Sequence, residues 1–229
     1  MDSQEFAAEV REHLDQAIAA WGLTPSLSLP SESHIWDSLA QFCSALHDEN
    51  KEINLTGITD PKGMAIRHVL DSLLALPLLN AQNQGRLVDL GSGCGFPGIP
   101  LGLASPNREI VLIESRERKA QALDRLVQQT SLPSRISVVR ARGEVWLQDQ
   151  NVDLVVARAV GQVAEIQAKL KPVAKRMSML ILYKGPGVDE ELATAKHRSA
   201  WNAWSLIDRR EADLPEGGGH RVLLAFEPR

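Results

Sequence analysis

The run Arg86-Leu-Val-Asp-Leu-Gly-Ser-Gly-Cys-Gly-Phe-Pro-Gly-Ile-Pro100 joins an apolar strand to a turn carrying Gly91, Gly93 and Gly95. Glycines let a backbone turn tightly beneath a ligand, where a Cβ would collide with it or forbid the dihedral. Nineteen residues after Gly95, Glu114 ends a second apolar strand, where an acid suits a ribose diol. Together these residues read as a nucleoside-cofactor site on an α/β sheet. The spacing is G-x-G-x-G, preceded by Asp89, whereas dinucleotide folds use G-x-G-x-x-G over a pyrophosphate. It suits a cofactor built of adenosine and an amino-acid tail, S-adenosyl-L-methionine (SAM). A tight turn in another α/β fold, or an NAD variant, is the competing reading. Asp89 would orient the loop or take the cofactor's ammonium through ordered groups, and Cys94 would fill a small space.

The target side falls at the end of the fourth strand, Val155-Val-Ala-Arg-Ala-Val160. No Asn or Asp followed by Pro-Pro and an aromatic stands there, as exocyclic amine transfer would want. Neither Cys43 nor Cys94 lies in the later loops to serve as a nucleophile. What remains is Arg158. An arginine cannot act as a base near neutral pH, but it can hold phosphate or a base edge bidentately. That suits an acceptor that already owns a lone pair, such as guanine N7, which needs alignment with the methyl and exclusion of water. A structural arginine is the plainer reading. Lys184, before Gly185-Pro-Gly187, is a second phosphate candidate.

Arg142-Gly143-Glu144 follows the third strand, where a loop can reach an adenine ring, though Glu144 also fits a solvated loop. His68 and Asp71 sit three apart and share a helix face. A surface or capping pair is the simple account, and no third ligand supports a metal. Asn54, Thr56, Arg67 and His68 are candidates to line the mouth over the glycine loop.

Several elements must position these groups. Phe6, Val10, Leu14, Ala17, Ile18 and Trp21 recur with a helical period that Gly22 and Pro25 stop. A second helix starts at 30–33, with Cys43 as a core thiol. A third covers 64–79, interrupted near Pro77. From Arg86 the pattern alternates: strands at 86–90, 109–114, 136–140, 152–157 and 178–183, helices at 97–104, 116–130, 162–175 and 187–200. Trp204 to Asp208 and Arg221 to Phe226 read as two strands around Gly217-Gly-Gly219. Parallel βαβ units followed by an antiparallel hairpin predict a doubly wound sheet with a modified edge. The expected division is an N-terminal helical extension, 1–80, packed on a cofactor domain, 81–229.

The 229 residues can bury one full core. No run of about 18 apolar residues argues for a membrane span. The acidic first 20 residues do not fit a secretory signal, and two cysteines make no disulfide framework. Cytoplasm is the expected location. The net charge of −4 is unevenly spread: residues 1–50 carry −8, while residues 116–176 hold twelve Lys or Arg against six acids. A local basic surface can bind phosphate backbone on an acidic protein.

The chain resembles the RsmG (GidB) family of bacterial 16S rRNA guanine-N7 methyltransferases. The resemblance rests on Asn54-Leu-Thr56, Arg67-His-Val-Leu-Asp-Ser72 and Val88-Asp-Leu-Gly-Ser-Gly-Cys-Gly-Phe-Pro-Gly-Ile-Pro100. Arg142-Gly-Glu144, Arg158-Ala159 and Tyr183-Lys-Gly185 continue it in order. It implies a Rossmann-like class I SAM-dependent methyltransferase, with a mostly parallel seven-stranded α/β sheet behind the helical extension. It also implies methyl transfer to a guanine in the 530 loop of 16S rRNA, within a 30S subunit or its precursor, by a monomer. Cofactor contacts are then expected at Gly91, Phe96, Gly143, Glu144 and Arg158, with Glu114 on the ribose. Arg158 and Lys184 would lie near the RNA and the reaction centre.

Overall fold

The computed structural model describes residues 1–21, 29–80, 85–130 and 132–229. The predicted helix stop at Gly22 and Pro25 lies outside these residues. Helix α1 (Ser3–Ala20) begins where the Asp2 side chain accepts the Glu5 N–H, and it buries Phe6, Val10, Leu14 and Ala17. Each large apolar side chain removed from water contributes roughly 1.5–3 kcal/mol. Helix α2 (Ser33–Asn50) turns Ile35, Leu39, Phe42, Cys43 and Leu46 inward against it.

Asp60 caps the next helical run by accepting the Gly63 N–H, with Pro61 in the first turn. This run is not one regular helix. After Pro61–Gly63, residues Met64–Leu70 form a π-helix, Asp71–Leu73 return to α, and a separate helix covers Leu76–Asn80. The break falls at residues 74–75, ahead of Pro77 rather than at it, because proline fits the first turn of a new helix.

Seven strands follow: β1 (Gly85–Leu90), β2 (Arg108–Glu114), β3 (Ile136–Arg140), β4 (Val152–Arg158), β5 (Met177–Lys184), β6 (Trp204–Leu214) and β7 (Gly219–Pro228). Their order is β3-β2-β1-β4-β5-β7-β6. The first five pair in parallel, and β7 enters antiparallel between β5 and β6. The sheet thus has the mostly parallel α/β architecture expected.

Local boundaries differ from the sequence reading. The helix expected over 162–175 is Val163–Leu170 followed by a 3-10 stretch at Pro172, and that over 187–200 ends at Lys196. Strand β6 runs six residues beyond Asp208. Residues 143–146, read as loop, form a short helix.

Both sheet faces are covered. Leu87 of β1, Leu112 of β2 and Val156 of β4 join the side chains of α1 and α2 in one apolar cluster. Val88, Val111 and Val155 face a second cluster with Ile166, Leu192 and Trp204. Chain order reverses between β1 and β4, and at such a switch point the carboxyl ends of the strands leave a crevice.

Candidate active site

That crevice holds a cavity of about 1130 Å³, lined from the glycine loop, the end of β2, the π-helix, the ends of β4 and β5, and β7. It exceeds the roughly 300–1,000 Å³ that one small ligand occupies, which leaves room for a second reactant.

At one end, the Gly91 and Ser92 N–H groups both donate to the Ile113 carbonyl at 2.9 Å, which pins the loop to β2. Gly93 and Gly95 have φ of +57° and +95°, in the left-handed region that favours glycine. A Cβ on Gly95 would stand 2.5 Å from Ile99 Cδ1, whereas one on Gly93 would meet nothing closer than the Gly91 carbonyl at 3.9 Å. Glu114 ends β2 in this cavity, buried, with one oxygen accepting the Arg116 N–H at 2.7 Å. Asp89 is fully buried behind the loop. Its Oδ2 accepts the Gly98 N–H at 2.8 Å while Oδ1 has no partner. Burial pushes its carboxyl up to about 6, against the pull of the Gly98 N–H.

At the other end, Arg158 leaves β4 and folds inward. Its Nη1 donates to Asp71 Oδ2 at 2.9 Å and to the Arg67 carbonyl at 3.2 Å, and its Nη2 reaches His68 Nδ1 at 3.2 Å. The other Asp71 oxygen accepts from Arg221 Nε at 3.1 Å, so one buried carboxylate holds two guanidiniums. The His68 ring stacks on Phe96 with centroids 4.6 Å apart, and Arg158 lies over the Phe96 ring at 5.7 Å. Burial, then the nearby Arg158 and Arg67 cations, push His68 down to about 3. The imidazole is therefore neutral across the working pH range.

Next to Arg158, Ala159 has φ of +57°, a left-handed conformation that costs a non-glycine residue about 1–3 kcal/mol. Lys184 braces this turn: its Nζ donates to the Gly161 carbonyl and to Glu191 Oε2, both at 2.6 Å.

The family model described as rRNA small subunit methyltransferase G (GidB) matches residues 35–208. The chain belongs to that family. A ribosomal RNA small subunit methyltransferase G of Stenotrophomonas maltophilia is 34% identical over 224 residues, covering 98% of each chain. That of Solibacter usitatus is 31% identical over 196 residues, covering 86% of this chain and 92% of its own. Among solved structures, a human methyltransferase 10 domain containing protein superposes with a TM-score of 0.56 at 17% identity, covering 84% of this chain and 97% of that one. That likeness supports the methyltransferase fold.

The cavity gathers Thr56, Arg67, His68, Asp71, Gly91, Gly93, Phe96, Glu114, Arg158 and Lys184 from the residues singled out in the sequence. Others stand off it. Asp89 and Gly95 are buried behind the loop, Asn54 lines a smaller adjoining pocket with Arg116 and Lys119, and Gly143 packs on Leu90. Glu144 is half-buried in the first turn of the short helix after β3, outside the cavity lining. His68 and Asp71 are both buried, so the surface-pair reading does not hold. The donors of Arg158 and Lys184, read as free to meet RNA, have partners within the protein.

Sequence reasoning missed Arg221, which reaches Asp71 from the terminal hairpin. It also missed Asn50, whose Oδ1 accepts the Leu55 and Thr56 N–H groups while its Nδ2 donates to the Thr56 carbonyl. No periodicity marks either residue, because each acts across the fold or around a turn. Among the described residues no His, Cys, Asp or Glu group is arranged to hold a metal ion, and no helix is long and apolar enough to cross a membrane.

Proposed function

We propose that this chain transfers the methyl group of SAM to N7 of a guanine in the 530 loop of 16S rRNA. Bound SAM supplies an electrophilic methyl on sulfur: the N7–CH3 bond forms as the S–CH3 bond breaks, leaving a neutral thioether and a cationic guanine. Glu114 suits the ribose diol, the glycine loop provides close backbone approach, and Asp89, behind the loop with one oxygen unpartnered, suits the amino-acid ammonium through ordered groups.

One observation favours this acceptor: each acid lining the cavity, among those described, already accepts at least one hydrogen bond from the protein. Asp71 holds Arg158 and Arg221, Glu191 holds Lys184 and the Val163 N–H, and Glu114 holds the Arg116 N–H. The His68 lone pair faces Arg158, and burial raises the Tyr183 hydroxyl well above its usual range. An amine needing deprotonation would have to draw on a carboxylate that is already engaged. Guanine N7 needs none, and its work is left to alignment and exclusion of water. Seven basic side chains line the cavity against three acids, a balance that favours a polyanionic substrate. The reading places the enzyme in the cytoplasm, acting as a monomer on the 30S subunit or its precursor.

Transfer of labelled methyl from SAM to 16S rRNA, naked and in 30S particles, followed by mapping of the base, tests this reading. A single N7-methylguanine in the 530 loop is the expected product. No incorporation with SAM binding intact would leave a small molecule or protein as the acceptor.

The raised Asp89 carboxyl yields a pH prediction. A carboxyl that titrates near 6 when the site is empty is expected to lose its proton when an ammonium is held on the cavity side of the loop, so SAM binding releases a proton below that pH. Affinity is expected to fall as pH drops from 7 to 5, by up to about tenfold per unit below 6. Calorimetry in buffers of different ionisation enthalpy would detect the proton. Asp89→Asn should flatten the profile, and a flat wild-type profile would leave Asp89 with loop orientation alone.

A further inference from the structure

The hydrogen bonds around Thr56 leave its hydroxyl a single role. Arg158 has only N–H groups to offer, and its Nη2 lies 3.2 Å from His68 Nδ1, so Nδ1 is an acceptor. In the neutral imidazole the proton then sits on Nε2, which donates to Thr56 Oγ1 across 2.8 Å. The Ile58 N–H donates to the same oxygen at 3.1 Å. A hydroxyl has two acceptor lone pairs and one hydrogen. With both lone pairs taken, Thr56 can only donate. Asn50 grips the Thr56 backbone from both sides, and the residue lines the cavity alongside Arg158 and the glycine loop.

We infer that the Thr56 hydroxyl reads the O6 carbonyl of the target guanine and so selects guanine over adenine. This rests on the N7 reading above. Guanine presents N7 and O6 side by side, both acceptors, whereas adenine presents N7 beside the N6 amino donor. Whatever brings N7 to the methyl also brings the neighbouring exocyclic group to the same wall. A donor there pairs with O6, while against N6 two donors face each other and both are left unsatisfied. The chain Arg158 to His68 to Thr56 thus turns a buried cation into a fixed hydrogen-bond polarity at the acceptor site, and His68 serves as a positioning residue.

The test uses the full chain and 30S particles reconstituted with guanine or 2-aminopurine at the mapped position. 2-Aminopurine keeps N7 but lacks O6. The wild type is expected to use 2-aminopurine about 10- to 100-fold less efficiently in kcat/KM, the discrimination typical of a base-edge contact. Thr56→Val should lose a similar factor on guanine, lose nothing more on 2-aminopurine, and bind SAM as tightly as the wild type. Thr56→Ser should restore the preference. A Thr56→Val enzyme that still prefers guanine by the wild-type factor would overturn the assignment, as would a wild type indifferent to O6. Product mapping separates the two readings. Methyl found on N7 with no role for Thr56 sinks only this inference, and methyl on another atom sinks the proposal beneath it.

Discussion

Asp71→Ala is expected to lower unfolding stability by about 3–5 kcal/mol and to abolish methyl transfer. The carboxylate is 3% exposed and receives Arg158 on one oxygen and Arg221 on the other. Arg158 is itself largely buried, its side chain 14% exposed, so removing Asp71 strands a cation with no carboxylate partner, left to the Arg67 carbonyl, His68 and the Phe96 ring. Truncating one member of such a group costs more than the group contributes, because the remaining charge stays desolvated. The catalytic loss follows from the same geometry. Arg158 sets the His68 tautomer, and a displaced guanidinium would no longer hold it. Asp71→Asn should be milder in stability, since an amide oxygen still accepts one hydrogen bond. Urea unfolding and single-turnover transfer measure the two effects. An Asp71→Ala protein within 1 kcal/mol of the wild type would show that Arg158 escapes to solvent at little cost.

The second large effect divides two glycines of one loop. Gly93→Ala is expected to leave the fold nearly intact and to weaken SAM binding by more than tenfold. Gly95→Ala is expected to cost the fold itself, about 2–5 kcal/mol. Both positions have positive φ, so each substitution carries a conformational cost of roughly 1–2 kcal/mol. Their surroundings differ. The new Cβ on Gly95 enters packed side chains, with Ile99 Cδ1 at 2.5 Å, Phe42 Cζ at 3.1 Å and Leu123 Cδ1 at 3.2 Å. Overpacking of this kind adds roughly 1–3 kcal/mol. On Gly93 the Cβ enters open space at the cavity wall, where the cofactor's backbone approach is expected. Thermal unfolding and SAM titration of the two variants should therefore rank them in opposite order. The same order in both assays would mean that the loop responds as one rigid unit.

Much of this chain is legible in one dimension because its signals are local. Strands β1, β2, β4 and β5 are buried on both faces and read as short apolar runs. Strand β6 is different: it is an edge strand that pairs with β7 alone, and Asp208 to Glu211 are charged. Its strand character comes from backbone pairing, so an apolar pattern could not show where it ends. The helices near Pro172 and residues 197–203 are shorter than their periodicity suggests, since 3-10 turns keep apolar side chains facing inward without continuing the α ladder.

The candidate site divides along the same line. The sequence by itself determined the glycine loop, the acid at the end of β2 and the succession of βαβ units, because turn chemistry and burial periodicity depend on neighbours in the chain, while the order of the strands in the sheet came from the structure. The resemblance carried by these motifs led to the family. Only the tertiary structure decided what the charged residues do. Arg158 and Lys184 look like free cations in sequence, yet fold onto Asp71 and Glu191. His68 and Asp71 look like a surface pair, yet lie buried against partners up to 150 residues away. A charge's role depends on which opposite charge or lone pair the fold brings within about 3 Å, and on how much water is removed around it. Neither quantity is written in the spacing of residues along a chain.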